Sequence, residues 1–123
     1  MRFTEDSTDA YCIIDAHGSG WVSVNHVIYR HSLIVTPQRI EPWRPAGFSD
    51  LVGEDLRGLQ DYSPEVILIG TGSCQRFPNA ELLSMIRNAE ASYEFMDTAA
   101  ACRTYTILMA EKRLVLAAML VDE

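Results

Sequence analysis

Four consecutive aliphatic residues, Val66-Ile67-Leu68-Ile69, carry no polar alternation. A strand with this pattern is buried on both faces, as in the interior of a sheet covered on two sides. Gly70 and Gly72 then allow a turn that a residue with a Cβ would resist. Asn79 caps a helix predicted over 79–88, with Leu82, Leu83 and Ile86 along its apolar face. Ser92-Tyr93-Glu94-Phe95-Met96 alternates as a strand. Asp97 or Thr98 caps a second helix from Ala99 to about Lys112, striped by Ala101, Tyr105 and Leu108. Leu114 to Val121 is a second wholly apolar strand, so the C-terminal half reads β-α-β-α-β.

The first half has a shorter period. Tyr11-Cys12-Ile13-Ile14 reads as a strand, Asp15 to Gly20 as a reversal around Gly18-Ser19-Gly20, and Trp21-Val22-Ser23-Val24 as the return strand. Val27-Ile28-Tyr29-Arg30 and Ser32 to Thr36 follow, giving a meander of three or four strands stopped by Pro37. The proline-rich segment from Pro37 to Pro45 is expected to run extended with little ladder hydrogen bonding, laying Ile40 and Trp43 across the core. Ser49 or Asp50 caps a short helix through Leu51, Val52, Leu56 and Leu59, weakened by Gly53 and Gly58. Residues 1–9 are polar and expected to be loose, with Phe3 their only apolar anchor. The fold class that follows is α/β: a single three-layer domain over 1–123, with a central mixed sheet and right-handed crossovers.

Charge and composition remove several classes of function. The formal net charge of −7 argues against a nucleic-acid partner, because phosphate contacts need a basic face. No apolar run approaches the ~20 residues needed to span a bilayer. The polar N-terminus lacks the apolar centre of a secretory signal, so the expected location is the cytoplasm of a bacterium or archaeon, without membrane insertion. Cys12, Cys74 and Cys102 are odd in number and widely spaced, and read as free thiols.

The candidate ligand site is the loop Gly70-Thr71-Gly72-Ser73 with Arg76, where a glycine turn near a helix start can offer backbone N–H groups to an anion. Arg103 completes that pocket if it points toward Gly72. The segment is neither GxGxxG nor GxxxxGK[ST], and the plainer reading is a tight turn beneath Phe77-Pro78. Cys74 sits in the same loop, but a nucleophilic thiol needs a base, and His17, His26 and His31 are distant in sequence. Those histidines with Asp15 have no metal-site spacing, so neither metal nor cofactor is expected. Asp97, Thr98, Arg103, Thr104 and Tyr105 are a candidate polar cluster facing the glycine loop, although Asp97-Thr98 is explained as a helix cap and Tyr105 as a core residue whose hydroxyl finds a partner. Trp21, Trp43, Phe48 and Tyr62 lie in turns or irregular segments, where exposed aromatics can anchor a protein partner.

Ile69-Gly70-Thr71-Gly72, Phe77-Pro78, Tyr93 to Thr98 and Ala101-Cys102-Arg103-Thr104-Tyr105, taken in order, resemble one family. It is the small single-domain family that includes mitochondrial respiratory complex I assembly factor three and the adipogenesis-associated protein of the same domain. Thr106 and Asn88-Ala89-Glu90-Ala91 depart from its usual pattern. The resemblance implies a three-layer α/β fold and a non-catalytic role among protein partners, with no catalytic residues to carry over. The leading expectation is therefore a non-enzymatic, assembly-factor-like interaction domain, a monomer or weak homodimer. The alternative is a small-ligand or anion binder, conceivably an enzyme, using Gly70 to Arg76.

Overall fold

The computed structural model describes residues 11–121, so the loose segment expected over 1–9 lies outside the described residues. Strands β1 (Ile14–Gly18), β2 (Trp21–Val24) and β3 (Val27–Tyr29) form a small antiparallel sheet. Strands β4 (Leu33–Val35), β5 (Ile40–Pro42), β6 (Val66–Gly70), β7 (Ser92–Met96) and β8 (Val115–Met119) form a larger one in the order β5-β4-β8-β6-β7. This sheet is mixed: β6 runs parallel to β7 and β8, whereas β4 is antiparallel to β5 and β8. Helices α1 (Gly53–Arg57), α2 (Ala80–Ser84) and α3 (Thr98–Ala110) complete the chain, with 3-10 turns at Phe48–Asp50 and Gly58–Tyr62.

The period-two geometry of strands sorts the core into two faces. Val66 and Leu68 of β6 and Val115, Ala117 and Met119 of β8 pack with Val22, Val24, Ala101 and Tyr105, beneath α3 and the small sheet. Ile67, Ile69, Leu116, Ala118 and Leu120 point the other way, onto Trp43, Leu56, Leu59 and Leu82. Every residue of β6 and of β8 is buried, as their unbroken apolar runs require. Full burial of a side chain such as Leu56 or Leu68 contributes about 1.5–3 kcal/mol. The three-layer expectation holds, with helices on both faces of the mixed sheet.

Local expectations shift in four places. The meander does not continue through residue 36: β4 leaves the small sheet and pairs with β8. Leu33, Ile34 and Val35 are all buried, so this strand needs cover on both faces, whereas Val27 and Ile28 of β3 are exposed. The proline segment is not free of ladder bonding, since Ile40–Pro42 pairs with β4 as an edge strand, where a proline is tolerated. The first strand begins at Ile14 rather than Tyr11 and runs to Gly18, with a bulge between Ile14 and Ala16. The helix capped by Asn79 stops at Ser84; Asn79 Oδ1 accepts from Leu82 N at 2.9 Å as a cap should.

A second cap was legible beside that of Asn79. Asp97 Oδ1 accepts from Ala100 N at 2.8 Å and opens α3. The hydroxyl of fully buried Tyr105 donates to the Cys12 carbonyl at 2.7 Å, tying α3 to the chain entering the small sheet. No described helix is long and apolar enough to cross a membrane.

Candidate functional site

The glycine loop follows β6 at the carboxyl ends of the parallel strands, where ligands gather in open α/β sheets. Its two glycines have different causes. Gly72 has φ 101°, in the left-handed region that glycine favours. Gly70 is the last residue of β6, and a Cβ there would lie 2.9 Å from Thr98 Oγ1 and 3.0 Å from Thr98 Cα. Gly70 is therefore a packing glycine that lets α3 approach the sheet, not a turn glycine.

The buried groups of the loop, at Thr71 and Gly72, are bonded within the fold. Thr71, fully buried, donates its N–H to Met96 O at 2.7 Å, and its Oγ1 lies 2.7 Å from Cys74 O and accepts from Arg76 N at 3.1 Å. Gly72 N donates to Thr98 Oγ1 at 2.9 Å, while Thr98 N donates back to Gly72 O at 2.9 Å. The same Thr98 hydroxyl donates to Leu120 O at 2.8 Å, so one side chain joins the loop, α3 and the end of the β8 segment. Arg76 Nη1 donates to Thr71 O at 2.8 Å. Gln75 Nε2 donates to Phe95 O at 3.0 Å, covering part of the β7 edge.

A cleft of about 320 Å³ lies beside the loop. It is lined by Gly72 and Ser73 of the loop, by His17, Gly18 and Trp21 of the β1–β2 hairpin, and by Asp97 and Thr98 at the start of α3. The structure thus brings Gly72 and Ser73 to a cavity while Gly70 and Thr71 stay beneath them. Neither arginine borders it. Arg76 is turned onto Thr71, and exposed Arg103 lines a separate, open cleft with Asp15, His17 and Thr106. Sequence reasoning missed the hairpin side of the cleft. It placed Thr98 in a candidate cluster facing the loop but preferred a helix cap, although a cap needs only one of the two polar side chains Asp97 and Thr98.

The other candidates are placed as follows. Cys74 is exposed; Cys12 and Cys102 are buried, and burial pushes the Cys102 thiol up to about 12. His26 Nδ1 sits 3.2 Å from Asp15 Oδ2, and His31 Nδ1 lies 3.0 Å from Ser32 O. Partial burial works against the Asp15 charge, but hydrogen bonds from Ser23 and the His26 amide hold its carboxyl below the usual range. Among the described residues no three His, Cys, Asp or Glu side chains group so as to hold a metal ion. Trp43 is buried, and Phe48 and Tyr62 are half-buried against the same face of the sheet, so they pack the core and are not exposed anchors. Exposed apolar side chains lie elsewhere: Val52 (51%), Leu83 (44%) and Met85 (38%) around α1 and α2, Phe77 (73%) before the Asn79 cap, and, scattered over other elements, Tyr11, Ile13, Val27, Ile28, Ile107 and Leu114.

A family model described as "Protein of unknown function (DUF498/DUF598)" matches residues 14–120. The chain is 29% identical over 115 residues to a Francisella tularensis protein named "13 kDa major membrane protein", covering 92% of this chain and 94% of that one. It is 27% identical to NADH dehydrogenase [ubiquinone] 1 alpha subcomplex assembly factor 3 of Xenopus tropicalis, over 97% of this chain and 66% of that protein. The Danio rerio protein of the same name is 34% identical over 70% of this chain and 51% of its own length. The chain therefore spans about two thirds and about half of those two assembly factors. A crystal structure from Bordetella parapertussis superposes with a TM-score of 0.85 at 35% identity, covering 92% of this chain and 98% of that one. A Bartonella henselae crystal structure, described as an outer membrane protein, gives 0.78 at 31% identity, covering 93% and 98%. By the match over residues 14–120, the chain belongs to the DUF498/DUF598 family.

Proposed function

We propose that this chain is a non-catalytic interaction domain that acts, in the manner of an assembly factor, by docking onto protein partners in the cytoplasm. The observation that carries this reading is how the two glycine-turn amides and Arg76 are used. The Thr71 and Gly72 amides are bonded internally, and Arg76 is committed to Thr71 O. A loop that catalyses or grips phosphate presents such groups outward. The anion site on Gly70, Thr71, Gly72, Ser73, Arg76 and Arg103 is accordingly the less supported alternative. The apolar surface around α2 supplies what docking needs: exposed Leu83 borders a shallow groove with Ile86, Ala89, Ala91 and Tyr93, and Met85 packs against Gly53 beside exposed Val52. The relatives named as complex I assembly factors point the same way.

The test is site-specific photo-crosslinking in the source organism, with the photoreactive residue at Leu83 and, as control, at exposed Glu111. Discrete heteromeric adducts from position 83 and not from 111 are expected. Identical patterns from both positions, or none from 83, would overturn the proposal. An adduct of doubled mass, made of two copies of this chain, would instead identify a homodimer, which light scattering on the purified protein would measure directly.

A further inference from the structure

We propose that the cleft between the β1–β2 hairpin and the start of α3 binds an ammonium or guanidinium group carried on a short aliphatic stem. This goes beyond docking through the α2 face and stands independently of it.

The walls decide the chemistry. Among the described residues, the titratable side chains that line the cleft are Asp97 and His17, and Asp97 is the one carboxylate. Asp97 Oδ1 accepts from Ala100 N at 2.8 Å. The start of a helix carries about +0.5 of an elementary charge, so the carboxylate outweighs it and the local field is negative. The whole chain, at −7, adds to that sign. An anion finds no guanidinium here, because Arg76 and Arg103 lie outside the cleft. It also finds no free amide at Gly72, which is bonded to Thr98 Oγ1.

The rest of the lining suits a cation. Trp21 borders the cleft, and its indole lies over Gly18, where a Cβ would come within 2.5 Å of Nε1. An aromatic ring and a carboxylate lining one small cavity are two elements that hold a desolvated ammonium or guanidinium. Leu120 and Val121 supply an apolar surface for an alkyl stem, and the Ser19 and Ser73 hydroxyls can accept the remaining N–H donors. The glycines at 18, 20 and 72 keep the space clear, and the volume of about 320 Å³ suits one small group. A free amine and a partner's Lys or Arg side chain share this chemistry.

The experiment is an NMR titration of the purified protein, in which the indole N–H of Trp21 is followed beside that of buried Trp43. The probes are agmatine, for a free cation, and the blocked tripeptide Gly-Arg-Gly, for a side chain; butyrate and the Gly-Gln-Gly tripeptide are the controls. Either cationic probe is expected to move the Trp21 indole and the Gly18 and Gly72 amides, saturably, while Trp43 stays still. Binding of agmatine alone assigns the site to free amines, and binding of the tripeptide assigns it to a side chain. Asp97→Asn retains an acceptor for Ala100 N, so α3 stays capped. It removes the charge, and affinity for the cationic probe is expected to fall about tenfold. The proposal is overturned if neither cation moves these resonances at millimolar concentration. Equal movement by butyrate, or unchanged affinity in Asp97→Asn, would also overturn it.

Discussion

Replacing Thr98 with valine removes one oxygen and little else, which makes it the sharpest test of how the loop is held. The oxygen accepts from Gly72 N at 2.9 Å and donates to Leu120 O at 2.8 Å. Valine keeps the branched shape, so packing against Gly70 is preserved, but two buried backbone groups lose their partners. An unsatisfied buried donor costs roughly 1–3 kcal/mol, and a carbonyl with a second lone pair somewhat less. The expected loss is therefore about 2–4 kcal/mol, a large part of the ~5–15 kcal/mol that holds a domain together. In urea the midpoint should fall with no change in slope, and Tm should drop by on the order of 10 °C. Thr98→Ser keeps the hydroxyl and should recover most of the loss. A Thr98→Val penalty below about 0.5 kcal/mol would show that solvent reaches these groups. So would a Thr98→Ser variant as unstable as the valine; either result would refute the account of a sealed loop.

The same bookkeeping of buried groups predicts two further outcomes. Burial opposes the Asp55 charge, but bonds from Arg44 (Nη2 to Oδ2, 2.7 Å) and from the Val52 amide hold its carboxyl below the usual range. A depressed folded pKa stabilises the protein above the unfolded value near ~4, and that contribution is lost as pH falls through the folded value. Denaturation midpoints measured from pH 7 to pH 2 should therefore drop on the acid side. Asp55→Asn should be less stable at pH 7 by about 1–3 kcal/mol and show a flatter acid limb; a parallel limb would refute the assignment. Of the three cysteines only Cys74 is exposed, and burial raises the thiol pKa of Cys12 and Cys102. Ellman's reagent should titrate one thiol in the native protein and three after unfolding, and Cys74→Ser should abolish the native reaction.

How much of this was legible depended on how local the cause was. The runs Val66–Gly70 and Val115–Met119 could be read as interior strands because burial on both faces writes itself into every residue. Asn79 and Asp97 could be read as caps because the cap bond closes within three residues. The departure of β4 from the small sheet was not legible as pairing: Leu33-Ile34-Val35 looks like any short strand, and its partner Met119 lies at the other end of the chain. Only the structure separates it from β3, which leaves Val27 and Ile28 in solvent while Leu33, Ile34 and Val35 are buried. The length of α2 was overread, because Leu82 and Ile86 continue a helical period that the chain follows only as turns after Ser84.

The glycine loop shows why a strand–glycine–helix segment cannot be assigned a ligand from its spacing alone. The spacing says that backbone N–H groups are close to a helix start; it does not say what they face. Here Met96 O lies 2.7 Å from the Thr71 amide, and Thr98 Oγ1 lies 2.9 Å from the Gly72 amide. Both partners belong to the segment that opens α3, some 25 or more positions along the chain. Gly70 makes this possible, because only a residue without a Cβ lets Thr98 come so near. The two glycines that suggested a cradle for phosphate thus serve to bring in the threonine that occupies it. What remains open to a ligand is the space on the far side of Gly72, bounded by Trp21 and Asp97, and those two side chains set a different chemistry from the one the loop alone implies.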